Sequence, residues 1–169
     1  WHVKPQLNRG MWMDDASHPA DLLYWMFGRP ASVMAEIETL VNPMVPDDNG
    51  VAVFRWPDGM LGVLECSFTC VAAEDTTNIY GEKGTILQRW GDGVSCTPQL
   101  AAAPAERGVR YRLVGDAAWT QVDIPTPPSH GHRIAGVARP AVESLLGRRE
   151  PIATAAEGRA NIEMILAAY

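Results

Sequence analysis

The residues of this sequence best suited to chemistry stand close together near its start, in Gly10-Met11-Trp12-Met13-Asp14-Asp15-Ala16-Ser17-His18-Pro19-Ala20-Asp21-Leu22-Leu23. Asp14 precedes His18 by four positions, so a helical turn there would put carboxylate and imidazole on one face. A carboxylate beside an imidazole orients the ring and supports its protonated form, which prepares a general base near neutral pH. His18 itself lies four positions before Leu22 and eight before Met26, which predicts that it continues the apolar stripe of a helix and faces inward. The same spacing also describes a plain helix start, with acidic residues favouring the dipole and one satisfied core histidine.

Several neighbours carry two readings each. Asp15 could touch a substrate or be an exposed first-turn carboxylate, and Asp21 holds the helix start. The Trp12 ring suits the C–H face of a sugar and equally suits a core. His130 and His132 flank Gly131 ahead of a helix and could join Asp14 and His18 around a substrate or a metal. No Cys-x-x-Cys or His-x-x-x-His pair occurs, which argues against structural zinc, and no metal is expected. Gly81-Glu82-Lys83-Gly84 lacks the following Ser/Thr and helix of a phosphate loop and reads as a tight turn. Arg148-Arg149 reads as a solvated helix end. Cys66 and Cys70 are placed on one face of a strand; with Cys96 they make no disulfide framework and suit a reducing, cytoplasmic compartment.

The elements that must position these groups follow from periodicity. Residues 1–13 read as irregular and 15–28 as a helix, with Leu22, Leu23, Met26 and Phe27 on its apolar face and Gly28 and Pro30 as its stop. Residues 31–41 alternate as a strand. Val51–Trp56 and Met60–Val71 are strands joined by Pro57-Asp58-Gly59, a hairpin signal. Thr77–Tyr80, Thr85–Arg89, Val109–Val114 and Trp119–Ile124 read as further strands, with a turn at Gly91-Asp92-Gly93. Pro125-Thr126-Pro127-Pro128 is a stiff linker. Two helices close the chain. His132–Leu146 carries a stripe of Ile134, Val137, Ala138, Val142 and Leu145, and Ala155–Ala168 carries one of Ile162, Ile165 and Leu166. Strands in hairpin order between helices predict an α+β fold: one open, mainly antiparallel sheet with helices on one face and the other face free for a ligand or a second subunit.

The 169 residues are enough for one domain, 1–169, with its own core. A net charge of −6 disfavours a nucleic-acid partner. No apolar run is long enough for a membrane span, and Trp1-His2-Val3-Lys4-Pro5 lacks the features of a signal peptide. A start on Trp rather than Met predicts a trimmed or internal beginning.

The stretch around His18 resembles the signature of the Gfo/Idh/MocA oxidoreductases, the glucose–fructose oxidoreductase and inositol dehydrogenase group. Their Asp-x-x-x-His-x-x-Asp is matched by Asp14, His18 and Asp21, followed by Gly28-Arg29-Pro30 and Ser32-Val33. The resemblance continues in Asp48-Asn49, in Pro57-Asp58-Gly59-Met60-Leu61-Gly62, in Ile79-Tyr80-Gly81-Glu82-Lys83-Gly84-Thr85-Ile86, and in Thr154-Ala155-Ala156 before the last helix. The sequence departs from the pattern at Ala16, where the family often has Gly, and in a Gly-rich approach reduced to Gly10. It also lacks the strand expected just before Trp1. The resemblance implies a C-terminal substrate domain whose Rossmann partner binds NAD or NADP, with a sugar or polyol between the two. It further implies that His18 takes the proton of a substrate hydroxyl as hydride leaves the same carbon. Asp14 would orient His18 or bind substrate, with Asp15, Trp12 and His132 as further substrate contacts. A lysine of the other domain would share the work, so these residues alone would be inactive. The open sheet face would pair with another subunit in a homo-oligomer. Two rival readings are a non-catalytic assembly or ligand-sensing module, and a hydrolase assisted by a metal or by NAD.

Overall fold

A computed structural model of the chain describes residues 4, 6–70, 75–89, 108–125 and 130–169, with the side chain of residue 130 outside that set. The chain divides into two compact units. The first is built from Trp1–Cys70 and Ile152–Tyr169, and the second from Val71–Pro151.

The first unit holds helices α1 (Met11–Asp14) and α2 (Ser17–Phe27), strands β1 (Ser32–Glu38), β2 (Asn49–Arg55) and β3 (Leu61–Ser67) and, from the far end of the chain, a further helix over Ala155–Ala168. The strands form an antiparallel sheet in the order β1-β2-β3, with Val33 opposite Phe54 and Phe54 opposite Gly62. Alternation along β1 is regular, so Val33, Ala35 and Ile37 turn to one face and Met34, Glu36 and Glu38 to the other. The inner face carries Ala52, Phe54 and Leu64 against Met11, Trp12, Ala16 and Ala20 of the α1–α2 segment and Met164 and Ile165 of the last helix. Full burial of Phe54, Met11 and Ile165 contributes roughly 1.5–3 kcal/mol each. Gly50 on β2 lets the Trp12 ring approach: a Cβ at Gly50 would lie 2.7 Å from the ring. Trp56 crosses the far end, edge-to-face with Phe27 at 5.9 Å, and its Nε1 donates to Gly28 O at 2.9 Å.

The second unit holds strands β4 (Thr76–Gly81), β5 (Gly84–Arg89), β6 (Gly108–Leu113) and β7 (Thr120–Val122), hydrogen-bonded in that order, and helix α3 (His130–Leu145). The helix over Ala155–Ala168 is therefore α4. Its N-cap is Thr154, whose hydroxyl accepts from Glu157 N while the Glu157 carboxylate takes Thr154 N–H, a complete capping box. Those Thr154 contacts hold the Glu157 carboxyl below the usual carboxylate range.

The α+β class and the antiparallel pairing agree with the sequence reading. Four details differ. The strands of the described residues group into two sheets rather than one. Residues Met11–Asp14 form a short helix where irregular chain was expected. Strand β3 ends at Ser67, which leaves Cys70 outside it and exposed; neither Cys66 nor Cys70 is in a disulfide. Helix α3 exists, but its apolar stripe is uncovered among the described residues, with Ile134, Val137, Val142 and Leu145 all exposed. The Gly91-Asp92-Gly93 turn, Cys96 and residues 126–128 of the Pro-rich linker lie outside the described residues.

Candidate functional site

The site is a break between two helices, and the break follows from local hydrogen bonding. The residues on either side of the junction keep helical backbone, Asp15 at φ −97° and Ala16 at φ −65°. The Ala16 amide reaches back to Met11 O at 3.4 Å, one residue further than an α-helical bond, and the His18 amide takes Asp15 O at 3.1 Å, one residue nearer. Pro19 has no N–H to offer that carbonyl. Ser17 Oγ donates to Asp14 O at 2.8 Å and satisfies the carbonyl the irregular turn leaves behind. Asp14 thus closes α1 and His18 opens α2, rather than the two sharing one regular turn.

The entry to α1 is held from a distance. Its N-cap, Gly10, has no side chain to cap with and sits at φ 131°, a conformation that favours glycine. A Cβ there would also run into the Asp47 carboxylate. Asp47 does the capping: its carbonyl accepts from Met11 N at 3.1 Å and its Oδ1 from Trp12 N at 2.7 Å. Tyr169 Oη donates to Asp47 Oδ2 at 2.8 Å, and burial together with that carboxylate pushes the Tyr169 phenol well above the usual tyrosine range. Asn8, which is buried, accepts from Gly10 N through Oδ1 and donates through Nδ2 to Asp14 Oδ2, both at 3.2 Å. From the other side Asn161 of α4 donates through Nδ2 to Ser17 O at 3.0 Å.

Each residue singled out by sequence has a definite place. Asp14 is half-buried, with one oxygen on Asn8. His18 is exposed, which corrects the expectation that it faces inward. The core face of α2 is Ala16, Ala20, Leu23, Tyr24 and Phe27, while His18 shares the outer face with Trp25, which is 77 % exposed. Asp15 is exposed, with Cys66 Sγ 3.7 Å from its Oδ2. Asp21 is exposed on the first turn of α2. Trp12 is 0 % exposed; its ring is core, which corrects the expectation of a substrate contact. His132 is exposed on α3 of the second unit. Among the described residues no group of three His, Cys, Asp or Glu side chains could hold a metal. Four residues of the site were missed in the sequence: Asn8, Asp47, Asn161 and Tyr169. Only Asp47 carried a signal there, as half of an acidic pair in a loop.

The GFO/IDH/MocA C-terminal domain family matches residues 1–87, and the chain belongs to that family. Among solved structures, the WlbA dehydrogenase of Bordetella pertussis, determined with NADH and UDP-GlcNAcA, is 26 % identical at a TM-score of 0.63, over 94 % of this chain and 41 % of its own. UDP-N-acetylglucosamine 3-dehydrogenase GnnA of Acidithiobacillus ferrooxidans is similar in fold, at 15 % identity and a TM-score of 0.73 over 96 % of this chain and 47 % of its own. An oxidoreductase of Agrobacterium radiobacter, determined with NAD+, L-tartaric acid and magnesium, gives 18 % identity and a TM-score of 0.68 over 95 % and 46 %. The chain thus spans between 41 and 48 % of the length of the solved relatives it matches. Comparison with curated proteins gives no match.

Proposed function

We propose that this chain is the substrate-side part of an NAD(P)-dependent oxidoreductase acting on a hydroxyl-bearing carbon of a sugar, polyol or sugar nucleotide. The observation that carries the reading is the exposed His18 on a helix break that Asp14 ends on the other side, with the carbonyls of Asp14 and Ser17 held by Ser17 and Asn161. Membership of the family and relatives solved with NADH or NAD+ support it. Among the described residues no strand runs through a Gly-rich turn into a helix, so nothing there fits a dinucleotide, and the cofactor would be held outside them. When bound, it supplies the hydride acceptor. What this chain does is the proton half of the reaction: His18 accepts the substrate hydroxyl proton, and Asp14, held by Asn8, orients ring or substrate. Asp15 is a further exposed carboxylate for a substrate hydroxyl.

The outer face of the β1-β2-β3 sheet supports self-association. Met34, Val53 and Val63 stand opposite one another across the three strands, and Met34 and Val63 are 74 % and 60 % exposed. We assign that face to contact with a second copy.

The test uses the whole protein. A screen with NAD+ and NADP+ against hexoses, polyols and UDP-activated sugars selects the alcohol. His18→Ala should then lower kcat by about 10²- to 10⁴-fold, the usual worth of a general base, with NAD(P) affinity unchanged. Unchanged turnover in that variant would leave a non-catalytic assembly module as the better account.

A further inference from the structure

Asn161 of α4 hydrogen-bonds directly to the helix break. Its Nδ2 donates to the carbonyl of Ser17, the residue before His18, and Ser17 Oγ in turn donates to Asp14 O. The two hydrogen bonds join α4, the start of α2 and the end of α1 in one line. Asn161 Oδ1 is buried and has no partner among the described residues. A buried amide with an idle acceptor costs stability that an apolar side chain at the same place would not. The donor to Ser17 is what position 161 gains in return.

The gain matters because the backbone hydrogen bonding around Ser17 is irregular. Ala16 bonds one residue too far back, His18 one residue too near, and Pro19 donates nothing. By contrast α4 is a fixed reference. Its start is closed by the Thr154–Glu157 capping box, its middle is anchored in the core by Met164 and Ile165, and Tyr169 beyond its end is tied to Asp47. On its outer side Glu163 is paired with both Arg159 and Arg29, and the Arg159 hydrogen bond is the main cause of its lowered carboxyl pKa.

We propose that Asn161 is a positioning residue for His18: by pinning the Ser17 carbonyl to α4 it fixes the first turn of α2, and with it the imidazole relative to Asp14. This rests on the reading of His18 as proton acceptor. The informative variant is Asn161→Asp, which keeps the shape but turns the donor into an acceptor facing the Ser17 carbonyl.

Two readouts on the whole protein decide the matter. In amide hydrogen exchange, the segment 14–20 of Asn161→Asp should exchange about tenfold faster, while β1, β2 and β3 keep their protection. With NAD+ or NADP+ and the alcohol selected by the screen above, kcat should fall about 10- to 100-fold, as for a small misplacement of a reacting group. KM and cofactor affinity should hold. Asn161→Gln, which retains a donor, should recover part of kcat. The proposal is overturned by an unchanged segment 14–20, by equal acceleration in every segment, or by an unchanged kcat in folded enzyme. His18→Ala separates the two ideas: full turnover in that variant removes the oxidoreductase reading, whereas full turnover in Asn161→Asp alone removes only the role of Asn161.

Discussion

Asp47 and Asp48 are adjacent and both buried, yet each holds a different part of the first unit. Asp47 caps α1 from across the fold. Asp48 closes its own loop: Oδ1 accepts from Leu40 N at 2.8 Å and from Asn49 Nδ2 at 2.8 Å, and Oδ2 from Val41 N at 2.9 Å and Asn42 N at 2.5 Å. Burial alone would raise the Asp48 carboxyl, but the amides of Asn42, Leu40 and Val41 and the Asn49 side chain outweigh it and lower the pKa from 3.8 to about 2. A depressed folded-state pKa stabilises the fold above the unfolded value and ceases to do so as pH falls through the folded one. The stabilisation from Asp48 should therefore be intact above about pH 4 and vanish between 3.8 and about 2. Melting temperature followed down through that window should drop in the parent and lose part of that slope in Asp48→Asn; identical slopes would show that Asp48 is not the group titrating. None of this could be read from the sequence, where Asp47-Asp48 is an acidic pair in a loop. The spacing of Asp14 and His18 was legible as a motif, and the structure sets the two on successive helices, α1 and α2. The direction of His18 was not, because it depends on which residues of α2 meet the sheet.

At the scale of elements, the strands were the most legible part. Their two-residue alternation needs no partner to be seen, and β1, β2 and β3 lie within a few residues of the segments expected. Helices α2 and α4 were found, each with part of its expected face against the core. Of the face expected for α2, Leu22, Leu23, Met26 and Phe27, Leu23 and Phe27 meet the core, joined there by Ala16 and Ala20. Of the stripe expected for α4, Ile162, Ile165 and Leu166, only Ile165 is buried, together with Ala160 and Met164. In both, alanines mark the side of closest approach, and a search for large apolar residues passes over them. The glycine of β2 is a further case of absence carrying information. Gly50→Ala would push a methyl into the Trp12 ring at 2.7 Å, so it should cost about 1–3 kcal/mol, the usual penalty of overpacking. Urea unfolding measures it; an unchanged midpoint would mean that α1 yields to let the ring withdraw.

For the whole molecule, the α+β class followed from the order of elements, but the grouping of strands into a three-stranded and a four-stranded sheet did not, since hairpin spacing says which strands are neighbours and not where pairing stops. The outward Met34–Val53–Val63 row, exposed at Met34 and Val63, belongs to this scale. Val63→Asp places a charge on an outward side chain, so it should change the fold's own stability by no more than about 0.5 kcal/mol. It should still dissociate a self-association through that face. Sedimentation velocity on the whole protein reads the result, and an unaltered mass would move the contact elsewhere. The first unit is also discontinuous: Trp1–Cys70 is completed by Ile152–Tyr169, with Val71–Pro151 between. During synthesis Asp14 and His18 therefore leave the ribosome long before Asn161 and Tyr169, whose contacts with Ser17 and Asp47 span 144 and 122 residues. Until α4 arrives, the inner face of the β1-β2-β3 sheet stays partly bare, a state open to chaperones and to aggregation alike. Arrival of α4 is thus the step that completes the first unit of a nascent chain.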